Sequence, residues 1–115
     1  MYKLVNIKEG MPTSDYAIFL LEKEVEFAKC EGINVLVFIH GYGSKGYGGV
    51  IKKEVANKLM ELKKKKKIVT YVLGEHWASI NDDVKLICKY APELTVSSQV
   101  ANVNNGVSVV LVSED

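Results

Sequence analysis

Residues 34–40 read Asn-Val-Leu-Val-Phe-Ile-His, with five consecutive apolar side chains of which three are β-branched. A run this short and this uniformly apolar marks a strand buried on both faces. The elements around it alternate. Residues 2–7 carry Leu4, Val5 and Ile7 and form a short strand. Pro12 then precedes Thr13, Ser14 and Asp15, each a good N-cap. From there to Glu31 the spacing is helical, with Ala17, Leu21, Val25 and Ala28 on one face and Gly32 as the stop. A second helix is predicted from about Gly49 to Lys66, its buried stripe being Ile51, Val55, Leu59 and Leu62. Residues 68–73 form a third strand and residues 74–79 a loop holding His76 and Trp77. A short helix opens at Ile80 or Asn81, with Asp82 and Asp83 favourable in its first turn, and reaches Tyr90. Residues 94–105 are polar and give no pattern, and Gly106 leads into a final buried strand over 107–112.

The order is β-α-β-α-β-α-β, which predicts an α/β fold with a mostly parallel four-stranded sheet, the last strand free to run either way. At 115 residues the chain, 1–115, is expected to be one domain. Fifteen Lys or Arg against fourteen Asp or Glu exclude an evenly basic surface, although residues 63–67 are all lysine and read as a solvated helix end. Cys30 and Cys88 have no CxxC partner and are expected to be partly buried thiols, not a disulfide framework or a zinc site. No stretch has the length and apolarity of a signal peptide or a membrane span, so a soluble, cytoplasmic protein is expected.

The chemistry concentrates in one segment, His40-Gly41-Tyr42-Gly43-Ser44-Lys45-Gly46-Tyr47-Gly48-Gly49, which holds five of the nine glycines. It joins a buried strand to a helix, the junction where open α/β sheets bind ligands. Glycines there let backbone N–H groups approach an anion, and the helix N-terminus adds favourable partial charge. Lys45, Lys52 and Lys53 add positive charge, so a phosphate is the natural partner. A Walker A loop is absent. Gly41-Tyr42-Gly43-Ser44-Lys45-Gly46 has GxGxxG spacing, but the strand over 68–73 lacks a terminal acid, Glu75 lying beyond Gly74. The hydrolase-like His-Gly-x-Gly has no GxSxG partner.

Ile39-His40-Gly41-Tyr42-Gly43, followed by Gly48-Gly49-Val50-Ile51-Lys52 and closed by Gly106-Val107-Ser108-Val109-Val110-Leu111, resembles the Smr (small MutS-related) domain family. The resemblance implies a two-layer α/β sandwich with a mixed four-stranded sheet, similar to the C-terminal domain of translation initiation factor 3. It also implies binding of RNA or DNA, with the ribosome among the partners and no membrane. Some relatives cleave nucleic acid, which here would make His40 and Glu9 the catalytic candidates, with a divalent cation; binding alone requires no cofactor and no metal site. The cleaving relatives carry Leu-Asp-Leu-His-Gly or similar on the first strand. Here Val5-Asn6-Ile7-Lys8-Glu9-Gly10 places Asn6 at the aspartate and Lys8 or Glu9 at the histidine, which removes half of an acid–base or metal constellation. The leading expectation is therefore nucleic-acid binding by residues 40–49 with Lys52 and Lys53, Tyr42 and Tyr47 stacking on bases. An endonuclease is the alternative. A small-molecule phosphate, nucleotide or protein-interaction module is the second.

Overall fold

The computed structural model describes residues 1–10, 13–41, 48–78, 80–95 and 106–115. Its elements are β1 (Tyr2–Asn6), α1 (Ser14–Glu31), β2 (Val35–Ile39), α2 (Gly48–Lys64), β3 (Thr70–Leu73), a 3-10 turn (Gly74–His76), α3 (Asp82–Tyr90), a second 3-10 turn (Pro92–Thr95) and β4 (Val107–Leu111). The alternation expected from the sequence is present, with boundaries shifted by one to two residues.

The strand order is β1-β2-β4-β3. β1 pairs parallel with β2, whereas β4 runs antiparallel to both β2 and β3. The mixed four-stranded sheet implied by the resemblance is present, with the last strand as the antiparallel one; what differs from a mostly parallel sheet is the order of neighbours. β1, β2 and β3 point the same way, but β4 enters between β2 and β3, so one of the three strand pairings is parallel. With β2 and β4 at the centre, their side chains are covered on both sides: all five residues of β4 and the first four of β2 are buried. β1 lies at an edge, and Leu4 remains 43% exposed there.

Helices α1 and α2 lie on one face, where Ala17, Leu21, Val25, Val55 and Leu59 meet Leu36, Phe38 and Val110. The sheet and this helix pair are the two main layers of the sandwich. The short α3 and the turn after it close the other face, setting Val84, Ile87 and Leu94 against Val35, Val37 and Val109.

The helix ends follow from local chemistry. Thr13 caps α1 by accepting the Tyr16 N–H, and Gly32 stops it in the left-handed region with φ 73°. Asn81 caps α3 through Oδ1, which accepts the N–H groups of Asp83 and Val84. At the end of α2 the Lys67 N–H donates to the Leu62 carbonyl and the Lys66 N–H to that of Lys63, the paired bonds of a Schellman stop. Lys66 fills the position normally given to glycine, with φ 60°. Lys66→Gly is therefore expected to stabilise the fold by about 0.5–1 kcal/mol, the left-handed penalty removed outweighing the added chain entropy. A lower urea midpoint for the variant would contradict this.

The thiols are not alike. Cys88 is half-buried as expected, but Cys30 is exposed because it lies off the buried Ala17, Leu21, Val25, Ala28 stripe. Among the described residues, no helix is long and apolar enough to cross a membrane.

Candidate nucleic-acid interface

Because β1, β2 and β3 share a direction, the segments after each of them gather at one end of the sheet together with the start of β4. The segments are Ile7 to Gly10 after β1, His40 and Gly41 after β2, Gly74 to His76 after β3, and Gly106 before β4. The N-terminus of α2 completes this end, and no acidic residue stands in its first turn.

His40 is fully buried at the centre of the arrangement. Its backbone N–H and that of Gly41 both donate to the Gly106 carbonyl, at 2.9 and 3.0 Å, which ties the end of β2 to the start of β4. Its ring spans the same two segments. Nδ1 is 2.7 Å from the Gly41 carbonyl and Nε2 is 2.9 Å from Ser108 Oγ. A carbonyl only accepts, so Nδ1 carries the proton, and in the neutral ring Nε2 accepts from the Ser108 hydroxyl. Burial, the largest influence, lowers the His40 pKa from 6.5; the nearby Lys52 charge acts in the same direction, while the Gly41 carbonyl bond opposes both. The neutral ring therefore satisfies every polar atom it meets.

Gly41 follows with φ 75°, a conformation that β-carbon-bearing residues rarely adopt, and an added Cβ would meet the Lys8 side chain at 3.4 Å. Lys8 thus runs alongside the entrance to the glycine segment. Asn6 closes the turn after β1, its Oδ1 accepting the N–H groups of Lys8 and Glu9 at 3.0 Å each. That bond pattern is open to an aspartate as well, so the turn survives the exchange while the negative charge does not. Glu9 is exposed at this same end.

Lys52, in the second turn of α2, is half-buried and ion-paired with Glu75 at 2.9 Å. The Lys52 ammonium holds the Glu75 carboxyl below its ordinary range. Lys53 is exposed and has no ion-pair partner among the described residues. Tyr42, Gly43, Ser44, Lys45, Gly46 and Tyr47 lie outside the described residues; Gly48 and Gly49 open α2.

Three further features of the sequence have settings of their own. Trp77 is 7% exposed and belongs to the core beneath α3. His76 is exposed and, with Tyr71, Asn81 and Asp83, lines a shallow hollow along the free edge of β3. The lysine run ends α2, at the opposite end of the sheet from His40, where Lys63, Lys66 and Lys67 border an open cleft with Lys29. No three His, Cys, Asp or Glu side chains gather as a metal site among the described residues.

Two participants escaped the sequence reading. Ser108 is the one polar side chain within Val107–Leu111, and a hydroxyl alone in a buried strand needs a partner. Glu75 enters the sequence pattern only as an acid lying beyond Gly74, and no local spacing marks it as the partner of a lysine on another element.

No protein-family model matches the chain, and no curated protein is significantly similar to it. Among solved structures, the crystal structure of the Smr domain of Thermus thermophilus MutS2 superposes with a TM-score of 0.54. The match covers 97% of this chain and 96% of that one at 16% sequence identity. The likeness is one of fold, and the chain is an Smr-like α/β domain in that sense.

Proposed function

We propose that this protein binds nucleic acid, holding the sugar–phosphate backbone of RNA or DNA at the end of the sheet where His40, Gly41 and the start of α2 meet. The observation that carries this reading is the role of His40. It is locked, neutral and buried, and it fixes Gly41 in the left-handed turn from which the glycine segment leads to an α2 N-terminus without an acid of its own. Backbone N–H groups at such a helix start, with Lys45, Lys52 and Lys53 in or after the segment, suit a phosphate oxygen. The Smr-like fold supports the same reading.

Binding is favoured over cleavage. A general base needs a free nitrogen at the substrate, whereas both ring nitrogens of His40 are engaged and the ring is fully buried. Asn6, at the position of an acid in cleaving relatives, uses its oxygen to close its own turn. Glu9 is the remaining acid for the endonuclease alternative, which would also need a divalent cation.

The test is fluorescence anisotropy with labelled single-stranded RNA and DNA across salt concentrations. Engagement of two phosphates by Lys45 and Lys53, and of a third where Lys52 leaves Glu75, predicts a log–log slope between about −1.4 and −2.1 on single strands. Sedimentation with ribosomes, and incubation of the same oligonucleotides with magnesium, extend the test to the ribosome and to cleavage. Binding that is absent, or indifferent to salt, would refute the proposal.

A further inference from the structure

The Lys52–Glu75 pair sets a condition on any anion that approaches this end of the sheet. Of Lys52 and Lys53, the two lysines near the start of α2, Lys52 is the one whose position is fixed: it is half-buried, and its ammonium is 2.9 Å from the Glu75 carboxylate. Glu75 does not arrive on a free side chain from a loose loop. It sits in the 3-10 turn after β3, between the buried Gly74 and the nearly buried Trp77, whose N–H donates to the Gly74 carbonyl at 3.2 Å. The turn is thus anchored in the core on both sides of the carboxylate. α2 supplies no acid to its own first turn, so the anion near its start is provided by another element. The Glu75 carboxylate, the Lys52 ammonium and the buried His40 ring lie close enough to influence one another electrostatically.

We infer that Glu75 is a resident anion that competes with a nucleic-acid phosphate for Lys52 and so holds down the affinity of the site. This inference rests on the nucleic-acid reading above and specifies how that site is regulated. An incoming phosphate has two routes. It can draw the ammonium away from Glu75, at the cost of leaving that carboxylate without its partner and close to a second negative group. Otherwise it must bind without Lys52. In either case the wild-type protein gains less from Lys52 than an unpaired lysine would give. The 40% side-chain exposure of Glu75 leaves the pair open to exchange, as a gate requires.

The experiment compares the wild type with Glu75→Gln, Lys52→Ala and the double variant. Anisotropy of one labelled single-stranded RNA is read over a salt series. Glutamine preserves the size of a side chain that is exposed, so the fold is retained. Glu75→Gln is expected to bind about two- to fivefold more tightly at low salt, the range of a partly exposed ion pair. Its salt dependence is expected to steepen by roughly 0.7 in log–log slope, one additional phosphate contact on a single strand. Lys52→Ala in the same background should abolish the gain, because the two residues act through one another. Glu26→Gln removes an equal charge from α1 and should change affinity by less than twofold.

A gain that persists without Lys52, a gain matched by Glu26→Gln, or no gain while the wild type binds normally, each overturns the gate and leaves the nucleic-acid reading intact. Absence of binding by every protein refutes the nucleic-acid reading itself, and the gate falls with it.

Discussion

His40→Ala is expected to destabilise the protein by about 2–4 kcal/mol, because it opens a cavity and strands two polar groups. The Ser108 hydroxyl would lose its partner in a fully buried setting, and the Gly41 carbonyl in a partly buried one. For a domain whose total stability is of order 5–15 kcal/mol, this is a large fraction. Loss of activity in His40→Ala would consequently say little about catalysis, since the variant loses structure first. His40→Asn is the better probe, as its amide N–H can replace Nδ1–H toward Gly41. It should recover part of the stability in urea titrations, and full stability of His40→Ala would contradict the structural role.

The same residue fixes a pH dependence. Burial lowers the folded-state pKa below 6.5, so the folded protein resists protonation of His40. Above about pH 6.5 neither state holds the proton and the stability is complete. As pH falls through that value the unfolded chain takes up the proton first, and stability declines until the folded-state pKa is reached. Thermal melts between pH 8 and 5 should show this loss in the wild type, and His40→Asn should lack that component.

The second large effect contrasts the central strand β2 with the edge strand β1. Phe38→Ala should cost about 3–5 kcal/mol, whereas Leu4→Ala should cost under about 1 kcal/mol. Phe38 is fully buried under α1 and α2, while Leu4 is 43% exposed on the edge strand. Urea midpoints of the two variants check the contrast, and losses of similar size would show that β1 is more deeply covered than its edge position implies.

The element order and the apolar stripes of α1 and α2 were legible because period and burial coincide in them. Ala17, Leu21, Val25 and Ala28 all face the sheet as their spacing predicts. Strand neighbours were not legible. Residues 107–112 have the same apolar pattern whether they run parallel at an edge or antiparallel at the centre, since both faces are covered in either case. His40 was legible as a candidate residue, but its partner Ser108 lies 68 residues away, beyond any local spacing rule. The ion pair of Lys52 with Glu75 was hidden for the same reason: the sequence shows which residues carry charge, while the meeting of α2 with the turn after β3 is decided by the fold. Asn6 shows the converse, a local turn-closing residue whose hydrogen bonds follow from its type and its two nearest successors.

The insertion of β4 between β2 and β3 also bears on how the molecule assembles. Until Val107–Leu111 is in place, β3 has no strand beside it, and what remains is the two-stranded parallel ribbon of β1 and β2. A ribbon of that size is not stable by itself. The contacts that unite the halves of the sheet join residues far apart along the chain, such as Val37 with Val109 and Phe38 with Ser108. Ring closure over such distances must precede the reward of pairing, which slows folding relative to helical proteins of equal length. During synthesis, the nascent chain therefore has to wait: α1, β2 and α2 emerge early, yet the sheet snaps shut only when its keystone strand leaves the exit tunnel.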